Sequence, residues 1–237
     1  MTSLVLRLTG PLQAWGSSSR FVRRGTERAP TKSGVIGMLA AARGMRRTDD
    51  LTEFLGMRFG VRIDQPGTVL QDFQTARTLD GSRVMPLSYR HYLADAVFVA
   101  AVEGDEGLIS GLDDALRAPV FPLYLGRRSC PPVLPVSLGL RDKPAVEALR
   151  SEEWMAAAWY RRKTRQSPVR LEIIRDAESG DGHSETMRDE PLSFDPTRRE
   201  YGWRSVVREW ISVENPDFAP ANGRFEEDHD PMTVLGG

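Results

Sequence analysis

A helix start near the N-terminus concentrates side chains that bind phosphate. Residues 29–44, APTKSGVIGMLAAARG, place Thr31, Lys32 and Ser33 where the sequence predicts the first turn of a helix, with Pro30 or Thr31 beginning it. Backbone N–H groups at a helix N-terminus bind anions, and the Lys32 ammonium and the Ser33 hydroxyl would add donors. The stretch predicts a phosphate contact.

The same stretch lacks the features of a nucleotide-hydrolysing P-loop. That motif needs G-x-x-x-x-G-K-[ST], whose glycine amides wrap the phosphates, whereas Pro30 and Thr31 precede Lys32 here. Proline also removes one of the amides that the loop would use. The pattern therefore favours phosphate binding without hydrolysis of a nucleotide.

A loop after the first predicted strand combines a tryptophan with arginines. Residues 10–16, GPLQAWG, contain Gln13 and Trp15, and Arg24 and Arg28 follow. A tryptophan in a loop is commonly a plug in a core or an interface. Beside arginines it could instead provide a stacking platform for RNA bases, and both interpretations stay open.

A second arginine-bearing turn lies at residues 122–132, PLYLGRRSCPP. Gly126 precedes Arg127, Arg128 and Ser129, and proline and apolar residues flank the turn. Paired charges are often merely solvated, but the guanidinium group matches phosphate geometry. A turn held rigid on both sides is typical of a binding site.

The predicted first helix has a face of small residues. Gly34 and Gly37 lie three apart, and with Ala41 they would let another backbone approach closely. The partner could be the sheet, through tight helix packing, or a polynucleotide backbone. The two interpretations are compatible.

Charge is distributed unevenly along the 237 residues. Residues 1–47 hold nine basic side chains and one acid, whereas residues 171–237 hold 16 acids and seven arginines. This asymmetry predicts an anionic partner at one face. The single cysteine, Cys130, excludes an internal disulfide, disfavours a metal cluster and predicts a reducing compartment, the cytoplasm. No apolar run of membrane-spanning length and no signal-peptide layout are present.

The order of predicted elements indicates a ferredoxin-like α+β fold. Strands are predicted at 3–8, 57–63 and 94–104, helices from about 30 to 44 and at 107–119, and a hairpin with its turn at 79–82 projects between the second and third strands. RNA-recognition modules share this plan. Further along, we expect a helix at 151–165, a loop at 177–185 and strands at 169–174 and 208–213. The predicted units are a core at 1–140, a smaller C-terminal β extension at 141–214 and an acidic, disordered tail at 215–237.

These segments, in this order, resemble a known family. The segments are LRLTGPLQAWG, PTKSGVIGMLAAARG, YRHYLADAVF, PLYLGRRSCPP and SVVREW. Together they resemble the CasD-type subunits of type I-E CRISPR Cascade complexes, which belong to the RAMP family of CRISPR-associated proteins. The similarity runs from Ser3 to about Val213, and PLYLGRRSCP together with PTKSG is its most specific part.

The resemblance implies a non-catalytic RNA-binding subunit without cofactor or metal. Such subunits grip the 5′ handle of CRISPR RNA (crRNA) and cap the backbone filament. A thumb hairpin, here at about 68–90, leans on a CasC-type backbone subunit, a CasA-type large subunit lies nearby, and target DNA is met only indirectly, through the complex. Motif by motif, the implied handle contacts are Gln13, Trp15, Arg24, Arg28, Thr31, Lys32, Ser33, Arg90, Arg127, Arg128 and Ser129, with 122–132 as the glycine-rich loop. The hairpin is shorter than the family pattern, and the acidic tail has no counterpart in it.

Two alternative functions remain compatible with the sequence. The first is a metal-independent endoribonuclease that processes CRISPR repeat RNA, as type I-C relatives do, with His91, Tyr92 and Lys32 as the candidates for general base and phosphate stabiliser. The second is a structural wedge between protein subunits. The basic N-terminal third argues against the wedge.

Overall fold

A computed structural model describes residues 1–16 and 23–218 of the chain. Arg20 of the arginine-bearing loop and residues 219–237 of the predicted tail lie outside the described residues. The strands are β1 (Thr2–Thr9), β2 (Leu12–Gln13), β3 (Arg23–Arg24), β4 (Arg58–Gln65), β5 (Thr68–Gln74), β6 (Ser88–Ala94), β7 (Val97–Gly104), β8 (Ser137–Arg141), β9 (Val169–Asp176), β10 (Glu185–Ser193) and β11 (Glu200–Val213). The helices are α1 (Lys32–Ala42), α2 (Glu106–Arg117), α3 (Ala145–Ser151) and α4 (Ala158–Lys163), with a 3₁₀ turn at Thr52–Phe54.

The main sheet has seven strands in the order β10-β11-β9-β4-β7-β1-β8. Each neighbouring pair is antiparallel. Apart from the hairpin, its first elements follow one another along the chain as β1-α1-β4-β7-α2, the order that the sequence predicts. Strand β8, which the sequence does not predict, follows α2 and lies at the sheet edge beside β1. Strands β9 to β11 join the free side of β4, so the C-terminal part of the chain extends the same sheet.

Both faces of the main sheet are covered at β1. Leu4 and Leu6 of β1 lie in the large core cluster with α1 and α2, whereas Val5 lies in a second cluster with Ala148 and Leu149 of α3. Because successive strand side chains point to opposite faces, β1 is apolar throughout. This explains why SLVLRL lacks the polar alternation of a half-exposed strand.

Helix α1 begins and ends as the sequence predicts. Thr31 is the N-cap, with extended backbone, and its Oγ1 atom accepts a 3.2 Å hydrogen bond from the Gly34 N–H. After Ala42, Gly44 takes a φ of +81°, the left-handed conformation that glycine adopts at helix ends.

Residues 68–94 form a β-hairpin that belongs to a smaller sheet. Strands β5 and β6 pair from Thr68 opposite Ala94 to Gln74 opposite Ser88, and Gly81 lies at the turn with a φ of +72°. The hairpin exposes Phe73, which is 66% accessible, and other apolar side chains. Strands β2 and β3 flank β6 and attach the hairpin to the core.

The prediction of a helix at 151–165 is wrong over its first half. Residues 152–157 are not helical, and only α4 forms. The Met155 N–H donates to the Asp64 carboxylate at 2.6 Å, and the Ala157 N–H donates to Gln65 Oε1 at 3.1 Å. These tertiary hydrogen bonds replace the i to i−4 bonds of a helix.

The C-terminal strands differ from the sequence prediction in two respects. Strand β10 lies at the sheet edge, where its polar residues and Pro191 are tolerated; the prediction has no strand there. The described structure also continues past the predicted boundary at 215, as far as Phe218. The side-chain amide of Asn215 is buried and donates to the Arg161, Thr164 and Gln166 carbonyl oxygens at 2.9–3.2 Å.

Candidate nucleic-acid interface

A groove of about 1230 Å³ runs over α1. Small residues of α1 form its floor, the segment 121–131 forms one wall, and the segment 194–201 lines it from the other side. Its charged lining consists of six arginines: Arg24, Arg46, Arg47, Arg127, Arg128 and Arg199. No aspartate or glutamate of the described residues lines it. The groove is therefore suited to a polyanion.

Backbone contacts fix the loop at 122–132. The Leu125 N–H donates to the Cys130 carbonyl oxygen at 2.7 Å, and the Ala14 N–H donates to the Leu125 carbonyl oxygen at 3.1 Å. At Gly126 the φ is +85°, and a Cβ atom would lie 1.8 Å from the Ala14 carbonyl oxygen. Burial raises the pKa of the Cys130 thiol, which favours a packing role. These contacts hold the loop against the segment that contains Ala14.

The paired arginines of this loop have different environments. Arg127 donates to the backbone carbonyls of His91 at 3.1 Å and Arg24 at 2.8 Å, and its guanidinium lies 4.7 Å from the centroid of the Tyr92 ring. Arg128 is exposed and has no ion pair within the described residues. Arg127 thus holds the loop against its neighbours, and Arg128 is free to bind a ligand. Ser129 is also exposed, and its hydroxyl lies 3.9 Å from Cys130 Sγ.

The predicted phosphate site at the start of α1 is occupied by a carboxylate of the protein itself. The Lys32 N–H donates to Asp189 Oδ2 at 2.8 Å. The Lys32 ammonium pairs with Glu190 at 2.7 Å and with Asp176 at 3.4 Å, and its side chain is only 5% accessible. Lys32 is neutralised inside the fold, contrary to the sequence interpretation.

Arg204 completes this buried ionic cluster. It binds Asp189 at 2.6 and 3.0 Å and Asp176 at 2.7 Å. Burial acts to lower the pKa of Arg204, but hydrogen bonds and charge from the two carboxylates outweigh it and raise the pKa. The cluster joins the N-terminus of α1 to strands β9, β10 and β11. The two neighbours of Lys32 take part in local contacts: Thr31 caps α1, and the Ser33 hydroxyl lies 3.4 Å from Thr31 Oγ1.

Gln13 and Trp15 are fully buried. The Trp15 indole N–H donates to Gln13 Oε1 at 3.0 Å, and Gln13 Nε2 donates to the Leu8 and Ala96 carbonyl oxygens at 3.1 and 2.8 Å. A Cβ atom at Gly34 would lie 2.7 Å from the indole ring. The ring has no exposed face for a base, so the stacking role expected of Trp15 is not supported, and Gly34 serves tight packing.

The remaining predicted residues are Arg24, Arg28 and Arg90, and only Arg24 lines the groove. Arg24 is exposed and lines the groove. Arg28 is exposed but does not line it. Arg90 is half-buried on β6, next to Arg24 in register, and its Nε atom has no hydrogen-bond partner in the described structure. Of the eleven predicted contacts, six line the groove: Trp15, Arg24, Thr31, Ser33, Arg127 and Arg128.

The structure adds groove residues that the sequence interpretation omits. They are Arg46, Arg47, Thr48, Phe121, Tyr124, Phe194, Arg199 and Tyr201. Arg46 and Arg47 follow the glycine that ends α1, and an adjacent arginine pair was the signal that identified Arg127 and Arg128. The same pattern of two adjacent arginines predicts Arg46 and Arg47 as candidate binding residues. No local pattern relates the segment around Arg199 to α1.

The candidate nuclease residues do not form an exposed catalytic group. Tyr92 is buried beneath Arg127, and Lys32 is held by two carboxylates. His91 Nδ1 is buried without a hydrogen-bond partner in the described structure. Among residues 1–16 and 23–218, no three His, Cys, Asp or Glu side chains are arranged to hold a metal ion. None of the helices described is both long and apolar enough to cross a membrane.

Fold and groove define a mixed α/β protein that is built on antiparallel sheets and carries a cationic groove. The family model of the CRISPR-associated protein Cas5 matches residues 3–207. The chain therefore belongs to this Cas5 family, and the resemblance found in the sequence motifs is confirmed.

Relatives extend this similarity over nearly the whole chain. The CRISPR system Cascade subunit CasD of Escherichia coli (strain K12) is 36% identical in an alignment that covers 89% of this chain and 95% of that protein. A chain in a solved CRISPR RNA-guided surveillance complex has a TM-score of 0.74 at 33% identity, covering 94% of this chain and 96% of its own. A crystal structure of a Cas protein has a TM-score of 0.67 at 33% identity, covering 91% of this chain and 97% of its own.

Proposed function

We propose that this protein is the non-catalytic subunit of a CRISPR surveillance complex that binds the 5′ handle of crRNA and caps the backbone filament. The observation that carries the proposal is a groove lined by six arginines and by no acidic residue of the described chain. The similarity to a Cascade subunit and to a chain of an RNA-guided complex supports the same conclusion.

The groove has the chemistry that single-stranded RNA requires. Arginines can bind phosphates, and aromatic side chains in the lining, among them Phe121 and Tyr124, can stack on bases. We assign direct phosphate contacts to Arg24 and Arg128, which line the groove, and to Ser129, which is exposed next to Arg128. Arg127 positions the loop and lines the groove beside them. Thr31 and Lys32 act indirectly, by fixing α1.

The remaining features fit a subunit within a larger assembly. Strands β1, β4, β7 and β8, with α1 and α2, are assigned as a ferredoxin-like RAMP core. The hairpin at 68–94 is assigned as the thumb, because its exposed apolar side chains, including Phe73 and Val84, suit contact with a CasC-type backbone subunit. A CasA-type large subunit would lie nearby, target DNA would be met only through the complex, and the assembly would work in the cytoplasm.

The test is RNA binding by the full-length chain across a salt series. It uses RNA with and without the 5′ handle of the cognate repeat, alone and with the backbone subunit. For single strands the slope of log K against log salt is about −0.7 per phosphate contact. We expect handle-dependent binding, and a slope flattened by about 0.7 in Arg128→Ala but unchanged in Arg162→Ala, an exposed control on α4.

Two results would contradict the proposal. If RNA binding changes neither when the handle is absent nor in Arg128→Ala, the result would favour a structural wedge between protein subunits. Cleavage of repeat RNA in the presence of a chelator would indicate the endoribonuclease instead.

A further inference from the structure

A second cationic surface lies at α4, on the face of the main sheet opposite α1. Ile174 of β9 belongs to the core beneath α1, whereas Leu171, which points to the other face, packs with Trp154 and Tyr160 beside α4. Three cationic side chains at α4 are exposed and form no ion pair within the described residues: Arg162, Lys163 and Arg165. We call these three residues the α4 patch.

The last described residues of the chain pack directly against α4. The Asn215 side-chain amide donates to the Arg161, Thr164 and Gln166 carbonyl oxygens at 2.9–3.2 Å. The Arg161 guanidinium pairs with Asp217 at 2.7 Å. The described chain therefore ends at Phe218 next to the α4 patch, with Arg161 already neutralised by a residue of this C-terminal segment.

The sequence that follows Phe218 has the complementary charge. Residues 219–237 contain one arginine, Arg224, and four carboxylates within five positions: Glu226, Glu227, Asp228 and Asp230. We call residues 226–230 the acidic segment. Because the α4 patch lacks carboxylate partners in the described structure, the two sets of charges match in sign and nearly in number.

The acidic segment is within reach of the α4 patch. Eight residues lead from Phe218 to Glu226 and can span up to about 28 Å. The three cations of the patch follow Arg161 by at most four residues, so their backbone lies within about 14 Å of it. The acidic segment can therefore contact all three.

The arginines of the groove are a more distant target for the acidic segment. Arg199 directly precedes β11, whose 14 residues extend about 45 Å before the chain returns to α4. Attachment beside the patch gives the acidic segment an effective concentration in the millimolar range there. Surface ion pairs that are weak one by one can then form together.

We infer that the acidic segment 226–230 binds the α4 patch of the same chain. Its carboxylates pair with Arg162, Lys163 and Arg165. The contact covers cations that would otherwise attract any polynucleotide, and it thereby confines nucleic-acid binding to the groove over α1. This consequence rests on the proposed function, whereas the contact itself does not.

Carbodiimide cross-linking of the whole chain tests the contact without nucleic acid, because the reagent joins an amine to a carboxylate that it touches. The chain has three lysines: Lys32 is buried between carboxylates, and Lys143, beyond β8, is the control for Lys163. In the cross-linked monomer we expect the acidic segment joined to Lys163 and not to Lys143, with a yield that falls at high salt.

A pair of double variants tests whether the patch directs this coupling. Arg162→Ala/Arg165→Ala keeps Lys163 and should lower the yield, whereas Arg188→Ala/Arg198→Ala removes two exposed arginines elsewhere and should leave it unchanged. Equal coupling to Lys143 and Lys163, or an unchanged yield in Arg162→Ala/Arg165→Ala, would overturn the inference. Neither result depends on whether the protein binds the crRNA handle.

Binding of oligo(dT), which has no handle, tests the consequence across a salt series. Glu226→Gln/Glu227→Gln/Asp228→Asn/Asp230→Asn should steepen the salt slope by about 2, since three cations become available at about 0.7 each. Adding Arg162→Ala/Lys163→Ala/Arg165→Ala should remove that gain, while the same triple change alone should leave the wild-type slope unchanged. A flattened slope in the triple variant alone would show that the α4 patch is an open nucleic-acid site and would overturn the inference.

Discussion

The Lys32 N–H donates a 2.8 Å hydrogen bond to Oδ2 of Asp189, a residue 157 positions later in the chain. Asp189 is fully buried and places its negative charge at the N-terminus of α1, where the helix dipole favours an anion. The anion predicted at this position is therefore present, but it belongs to the protein. The arginine-lined groove lies instead along the small-residue face of the same helix.

Replacement of Asp189 by Ala should destabilise the fold strongly. Asp189 binds Arg204 and the Lys32 N–H, and its loss leaves buried cationic groups without their partner. The expected decrease in the free energy of unfolding is about 3–5 kcal/mol, measured by denaturant titration. The control is Glu200→Ala, at an exposed pair with Arg198, which should change stability by less than about 1 kcal/mol. Equal losses of stability in Asp189→Ala and Glu200→Ala would show that the buried ionic cluster stabilises the fold no more than an exposed ion pair does.

Lys32→Ala and Arg128→Ala should separate stability from RNA contact. Lys32 is buried between carboxylates, so its replacement should lower the free energy of unfolding and leave the salt slope of RNA binding unchanged. Arg128→Ala should flatten the slope by about 0.7 and leave stability unchanged. Denaturation and binding across a salt series measure both quantities. A flattened slope in Lys32→Ala would mean that Lys32 contacts a phosphate directly.

Gly126→Ala should displace the loop that carries Arg128. The added Cβ would lie 1.8 Å from the Ala14 carbonyl oxygen, on a backbone with a φ of +85°. We expect weaker RNA binding and a loss of stability larger than that of Gly81→Ala. Gly81 has a similar φ of +72° but open space around it, so its replacement should cost only about 1–2 kcal/mol of left-handed strain. Equal losses of stability in Gly126→Ala and Gly81→Ala would show that the 122–132 loop shifts to accommodate the added Cβ atom at no further cost in free energy.

The ion pair of Asp181 with Arg175 should make stability depend on pH. Two hydrogen bonds from Arg175, at 2.7 and 2.8 Å, hold the pKa of Asp181 well below its usual range. Because the pKa is lower in the folded state, the stabilisation is present at neutral pH and is lost as the pH falls below the unfolded value, about 4. Asp181→Asn should thus have a lower denaturation midpoint at pH 7 and approach wild type in acid. A difference that is constant with pH would contradict this.

Arg62→Ala should release the segment at 152–157. Arg62 is fully buried, pairs with Asp64 at 2.7 Å and donates to the Leu149, Glu152 and Glu153 carbonyl oxygens. Its loss leaves a buried carboxylate without its partner, at an expected cost of about 3–5 kcal/mol. Hydrogen exchange should accelerate at the Met155 amide, which Asp64 holds. Unchanged protection of that amide would mean that the segment is ordered independently of Arg62.

Local sequence determined the elements whose signals are local. The Thr31 cap and Gly44 define α1, and the apolar run at 3–8 forms β1. The proline-flanked turn at 122–132 is closed by the hydrogen bond from the Leu125 N–H to the Cys130 carbonyl oxygen. The motifs were also sufficient to identify the family. The helix expected at 151–165 failed because side chains of β4, about 90 residues earlier in the chain, capture its amides.

Only the tertiary structure decided which charges are available to a ligand. Lys32, Arg127 and Arg128 look equivalent in the sequence. In the fold, Asp176 and Glu190 neutralise Lys32, backbone carbonyls hold Arg127, and Arg128 remains free. An ionic or hydrogen-bonding partner can come from any part of the chain that folding brings within about 3 Å, and no local pattern records that distance. The residue types predicted a cationic site, and the packing of β9–β11 against α1 decided which residues form it.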